Sequence, residues 1–134
     1  MRDLTEIDVH DLADVSGRVE TTVVQADTAQ SLGSGDVPVL GTPRVLALAE
    51  AAIVMSLTRR IPTTMTTVGT RVQLRHRAAV PLGVTVAARA RLRERDGSRL
   101  TFDISVVDAD DRVIADGEIE RALVDREDFM SRLV

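Results

Sequence analysis

The chain has 134 residues, 44% of them hydrophobic and 28% charged, with a formal net charge of -4, which suits a single domain (1–134) with one sizeable core. It has no cysteine and only two histidines, His10 and His76, which excludes disulfides, thiol nucleophiles, thiolate metal sites and a three-histidine metal centre within one chain. No run approaches the roughly 18 apolar residues of a membrane span, and the acidic start (Asp3, Glu6, Asp8, Asp11, Asp14) is unlike a secretory signal, so a cytoplasmic location is the default expectation.

Residues 1 to 16 show no sustained period. Gly17 to Val24, with Val19, Thr21, Thr22, Val23 and Val24, reads as a first strand. Asp27 to Pro38 holds Gly33, Ser34, Gly35 and Asp36, which favour a loop or a short broken helix able to cover a pocket. Thr42-Pro43 is a helix start, and Val45 through Leu57 has only Glu50 and Ser56 as polar residues, which predicts a helix buried on several sides. Arg59 and Arg60 suit its C-terminal turn, and Pro62 stops it.

Four strands are expected after the helix. In the first, Val68, Thr70, Val72, Leu74 and His76 alternate with Gly69, Arg71, Gln73, Arg75 and Arg77, which places the first set inward. Val84, Val86, Ala88, Ala90 and Leu92 form the next inward row, opposite Arg89, Arg91 and Arg93. Asp96-Gly97 turns the chain into Leu100, Phe102, Ile104 and Val106, and Asp110-Asp111 turns it into Val113, Ala115, Gly117 and Ile119. The phase is less clean from Arg121 to Val124, where a bulge or a strand end is expected, and Asp125 to Val134 suits a short tail helix. This order predicts an α+β fold, a curved antiparallel sheet wrapped around one long central helix. One helix cannot cover a large sheet and also be shielded itself, so a homodimer is expected.

All 17 basic residues are arginines, eight of them between Arg71 and Arg99. That cluster suits a phosphate-bearing small molecule. Nucleic acid is not expected as a partner, because the net charge is negative and the two aromatics, Phe102 and Phe129, provide no stacking platform.

Glu50 stands among Ala47, Leu48, Ala49, Ala51, Ala52 and Ile53, where a carboxylate needs a partner or a polar cavity. It is either a hydrogen-bonded core anchor or a general base or nucleophile. His76 ends an apolar row and is either a satisfied rim histidine or a group that polarises a reacting atom. Thr42 has an ordinary reading as an N-cap, and Gly69 one as a strand kink. His10 reads as a surface residue.

The stretches GTPRVLALAEAA (Gly41 to Ala52), VGTRVQLRHRAAVPLGVTV (Val68 to Val86) and GEIERALVDREDF (Gly117 to Phe129), in this order and spacing, resemble hotdog-fold acyl-CoA thioesterases, most closely the fluoroacetyl-CoA thioesterase-like group. The resemblance implies hydrolysis of an acyl-CoA to a free acid and CoA by a homodimer with pockets near its interface. It matches Thr42, Glu50 and His76 to catalytic positions and Gly69 to the substrate region, with no metal and with CoA as part of the substrate rather than a cofactor. A rise of about 1.5 Å per residue separates Thr42 from Glu50 by roughly 12 Å, which argues against a compact triad. The covering segment departs from the group: Gln30 to Gly41 contains no phenylalanine, which speaks against fluorine discrimination. A non-catalytic acyl-CoA binding protein and an enoyl-thioester hydratase are the alternatives.

Overall fold

The computed structural model describes residues 14–133, so His10 lies outside the described residues. Strand β1 (Ser16–Thr22) leads through a 3-10 turn (Gln25–Asp27) and helix α1 (Ala29–Leu32) to the long helix α2 (Thr42–Leu57). Strands β2 (Met65–His76), β3 (Thr85–Asp96), β4 (Arg99–Asp108) and β5 (Val113–Asp125) follow, and helix α3 (Arg126–Ser131) ends the chain. The five strands form one antiparallel sheet in the order β1-β3-β4-β5-β2, with β2 on an edge.

Period-two alternation dictates the sheet's inner face. Ala88, Leu92, Leu100, Phe102, Val106, Ile114 and Ile119 are buried there against Val45, Leu48, Ala49, Ala52 and Ile53 of α2, which recur at helical spacing. Full burial of a side chain such as Phe102 contributes about 1.5–3 kcal/mol. Gly17 is required where β1 passes under the helix: a Cβ there would lie 2.2 Å from the carbonyl oxygen of Ala52.

Three expectations change, one of them in β5, where Val106 pairs with Ala115 but Val107 with Val113, so that Ile114 is an extra residue that takes the buried place expected for Val113. The helix is not buried on several sides: it packs chiefly on β1 and β3, and Ala47, Ala51, Val54 and Met55 form an apolar stripe on its other flank, with Val54 55% and Met55 52% exposed. A single sheet offers one helix only one surface, so a helix that is apolar all round keeps an uncovered side. The third change is a phase flip in β2. Gly69 pairs with Arg121 and Arg71 with Glu120, so Thr70 is an extra residue, a bulge. Gly69 therefore faces the helix together with Val72, Leu74 and His76, whereas Val68 faces the other way. The irregularity expected after Arg121 lies in the neighbouring strand; β5 itself runs on to Asp125.

On the outer face the arginines meet carboxylates across the strands. Arg77 pairs with Asp116, Arg89 with Asp111, and Arg93 with both Asp103 and Glu118. The hydrogen bond to Glu118, with the charge of Asp103 beside it, raises the pKa of Arg93 above its ordinary value. Such exposed pairs add little stability, but they balance the basic cluster locally. No helix among the described residues is long and apolar enough to cross a membrane.

Candidate active site

The segment before α2 is tied down at several points. The Asp27 carboxylate accepts from the Val24 amide and, at 2.9 Å, from Nε of Arg44, while the Gly41 amide donates to the Asp27 carbonyl. These bonds fix where α2 begins. Gly41, not Thr42, is the N-cap; Thr42 and Pro43 occupy the first helical positions, and no side chain caps the helix. The Thr42 hydroxyl is thereby left for His76, whose Nδ1 lies 2.8 Å from Oγ1. Nε2 of His76 is buried and has no partner among the described residues. Thr42 and His76 open on a hollow of about 380 Å³ bounded by Ala29, Gly35, Val37, Val39 and Ala78.

Glu50 belongs to a different cluster. Its Oε2 accepts from Nη1 of Arg121 at 2.8 Å, and a Cβ on Gly69 would lie 3.2 Å from the same oxygen. Arg121 is itself held, with Nε donating to Thr67 Oγ1 at 3.0 Å and Nη2 to the Thr67 carbonyl at 2.8 Å. The Arg121 side chain is 9% exposed and that of Glu50 35%. Glu50 is thus not an isolated buried acid: a guanidinium offsets its desolvation, and one edge of the carboxylate remains accessible.

The four residues matched from sequence therefore fall into two pairs, Thr42 with His76 and Glu50 with Gly69, and one chain does not bring the pairs together. Along α2, Thr42 and Glu50 are about 12 Å apart; along β2, Gly69 and His76 are roughly 20 Å apart. Sequence reading missed Arg121 and Thr67. The signal for Arg121 was the lost phase of β5, where the inward row runs Ile119, Arg121, Leu123 with a cation in a core position. Among the described residues no group of three or more His, Cys, Asp or Glu converges to hold a metal.

Residues 23–127 match the family described as fluoroacetyl-CoA-specific thioesterase. The chain is 33% identical over 95 residues to the fluoroacetyl-CoA thioesterase of Streptantibioticus cattleyicolor, covering 71% of this chain and 68% of that protein. A solved structure of the fluoroacetyl-CoA thioesterase FlK superposes with a TM-score of 0.80 at 28% identity, over 87% of this chain and 90% of the other. A thioesterase superfamily member from Thermus thermophilus shares the fold, with a TM-score of 0.80 at 21% identity over 87% of this chain and 85% of its own. These matches favour hydrolysis over hydration or simple binding of an acyl-CoA. An antiparallel sheet carrying one long helix and a match over most of the chain lead to one conclusion: it belongs to the fluoroacetyl-CoA-specific thioesterase family and is a hotdog-fold acyl-CoA thioesterase.

Proposed function

We propose that this chain hydrolyses acyl-CoA thioesters in a site shared by two copies, in which Thr42 and His76 of one protomer face Glu50 of the partner subunit across the thioester carbonyl. The separation of the two polar pairs within one chain carries this reading. The apolar stripe of Ala47, Ala51, Val54 and Met55 supports it, as does the edge position of β2. Antiparallel pairing of two β2 edges about a twofold axis sets the Gly69 end of one strand toward the His76 end of the other.

In that arrangement Glu50 activates water against the carbonyl or attacks it to give a mixed anhydride that water then opens. Either way the C–S bond breaks and CoA leaves as its thiolate. Thr42 and His76 act together as one donor to the charge that develops, the Thr42 hydroxyl when His76 Nδ1 donates to it and His76 Nε2 when the hydroxyl donates to Nδ1, and the Gly69 backbone lines the same region. Oxygen-18 appearing in Glu50 after turnover in labelled water marks an anhydride opened at the Glu50 carbonyl, and capture of an acyl-Glu50 adduct by hydroxylamine marks one opened at the acyl carbonyl.

The acyl group follows from the hollow beside Thr42. Neither phenylalanine reaches it, because Phe102 is in the core and Phe129 in α3, and the apolar part of its wall is made of small aliphatic residues such as Ala29, Val37, Val39 and Ala78, beside the polar Ser34, Asp36 and Arg77. This supports non-fluorinated acyl groups larger than acetyl. A panel of acyl-CoAs should show kcat/KM rising from acetyl to short branched or medium chains, with no preference for fluoroacetyl over acetyl.

Mixed dimers test the shared site. In a dimer of Glu50→Ala with His76→Ala, one site carries both defects and the other carries none. Random mixing of two nearly inactive proteins should therefore restore about a quarter of native turnover. A site built within one chain would show no recovery.

A further inference from the structure

Beyond Glu50, α2 runs along a groove closed on its far side by the start of β2. Val54, Leu57, Ile61 and Met65 line it, Arg59 and Arg126 stand on it, and Thr67, the anchor of Arg121, belongs to the same wall. Its volume is about 270 Å³. Pockets for whole drug-sized ligands begin at roughly 300 Å³, so the groove suits a slender arm better than a complete nucleotide.

The two cations on this groove differ from the arginines paired across the outer face of the sheet. Among the described residues Arg126 donates only to neutral acceptors, the carbonyls of Thr63 at 3.4 Å and Met65 at 3.3 Å. The Arg59 side chain makes no hydrogen bond or ion pair among the described residues. The carboxylates nearest to Arg126 in sequence, Asp125, Glu127 and Asp128, line a different hollow. Among the described residues, positive charge on the groove is therefore left without a paired carboxylate.

Arg59 also has a φ of 65°, the left-handed region in which a Cβ crowds the following carbonyl. It sits just past the C-cap Thr58, the place where glycine is usual. A residue that keeps a guanidinium where the backbone favours glycine, with no carboxylate among the described residues to meet it, suggests a ligand for that guanidinium.

We infer, resting on the reading that puts Glu50 at the thioester carbonyl, that this groove takes the pantetheine arm of the substrate and that Arg59, with Arg126, holds the phosphates at its nucleotide end. Leu57, the last residue of α2, lies about 10 Å beyond Glu50 along the axis, and Arg59 is two residues further on. That span is of the order of the extended arm between the thiol and the first phosphate of CoA. The aliphatic wall meets the methylene and methyl groups of the arm, and guanidinium forks suit phosphate oxygens.

The test compares one acyl group carried on CoA and on pantetheine, which lacks the phosphates, using native protein, Arg59→Gly and Arg59→Lys, with a thermal melt of each. Arg59→Gly should melt no lower than native protein, because glycine relaxes the backbone. Its KM for acyl-CoA should rise roughly tenfold, as expected for loss of a charge-assisted contact, with a much smaller change for acyl-pantetheine. Arg59→Lys should fall between the two. A KM for acyl-CoA that does not change in Arg59→Gly, or one that rises equally for both substrates, overturns the assignment. If Glu50→Ala keeps full turnover, the reading of the site falls and this inference falls with it. If Glu50→Ala is inactive while Arg59→Gly leaves KM unchanged, only this inference falls.

Discussion

At the start of α2, Thr42 and His76 meet through one hydrogen bond at the rim of a hollow, whereas about two turns later Glu50 is clamped by a guanidinium that is itself held twice by Thr67. The first pair can adjust, since a hydroxyl rotates and an imidazole changes tautomer. The second is set in place before any substrate arrives. A carbonyl lying between them would meet a fixed carboxylate on one side and adaptable donors on the other. That division suits a reaction in which attack needs alignment and the developing charge needs only hydrogen bonds.

The fixed side should be the more sensitive. Glu50→Ala is expected to lower kcat by about 10³-fold, within the range for a positioned base, with circular dichroism unchanged. Release of CoA thiol gives the measurement, and a loss under tenfold would remove Glu50 from the bond-breaking step. On the adjustable side, His76→Ala and Thr42→Val should each lower kcat by about 10²-fold. The double variant should be scarcely worse than either, because the two act through one hydrogen bond. Full additivity would mean that they act separately.

How much of this was legible beforehand differs between the two clusters. Helix α2 and strands β3 and β4 could be read because their inward rows are regular and Pro43, Gly97 and the Asp110-Asp111 turn mark their limits. Glu50 stood out as a charge among alanines, but its partner is 71 residues away in sequence and no local pattern links the two. Arg121 registered only as a lost phase. The Thr70 bulge was hidden because an added threonine in a strand changes neither composition nor hydropathy. Strict alternation then put Val68 inward in place of Gly69. Thr42 was given the ordinary capping role because Thr-Pro is a sound start signal; the structure moves that role to Gly41 and sends the hydroxyl to His76.

Smaller effects sharpen the comparison further. Arg121→Leu removes the clamp and should cost about 1–3 kcal/mol of stability, read by urea denaturation, because it leaves the Thr67 carbonyl and the Glu50 carboxylate short of a donor. The same variant should lower kcat by roughly tenfold with little change in KM, since it loosens the attacking group and not the substrate. Gly69→Ala is the mildest. Its Cβ would sit 3.2 Å from Glu50 Oε2, so the carboxylate must shift by a few tenths of an ångström. A loss of several-fold in kcat at unchanged melting temperature is expected, less than the roughly 10²-fold that a full 1 Å displacement brings.

The Thr70 bulge also sets a rule for how this chain tolerates change in length. Gly69 and His76 are an odd number of positions apart, so in an uninterrupted strand they would look to opposite sides of the sheet, and one surplus residue puts both on the side of the helix. Deleting Thr70 would make β2 a regular ladder with Gly69 and His76 six positions apart, both still on the side of the helix. The chain thus tolerates the loss of one residue at the bulge itself, whereas a single-residue change elsewhere in an unbroken ladder turns one end of the strand inside out, so relatives without the bulge should be one residue shorter between the two positions.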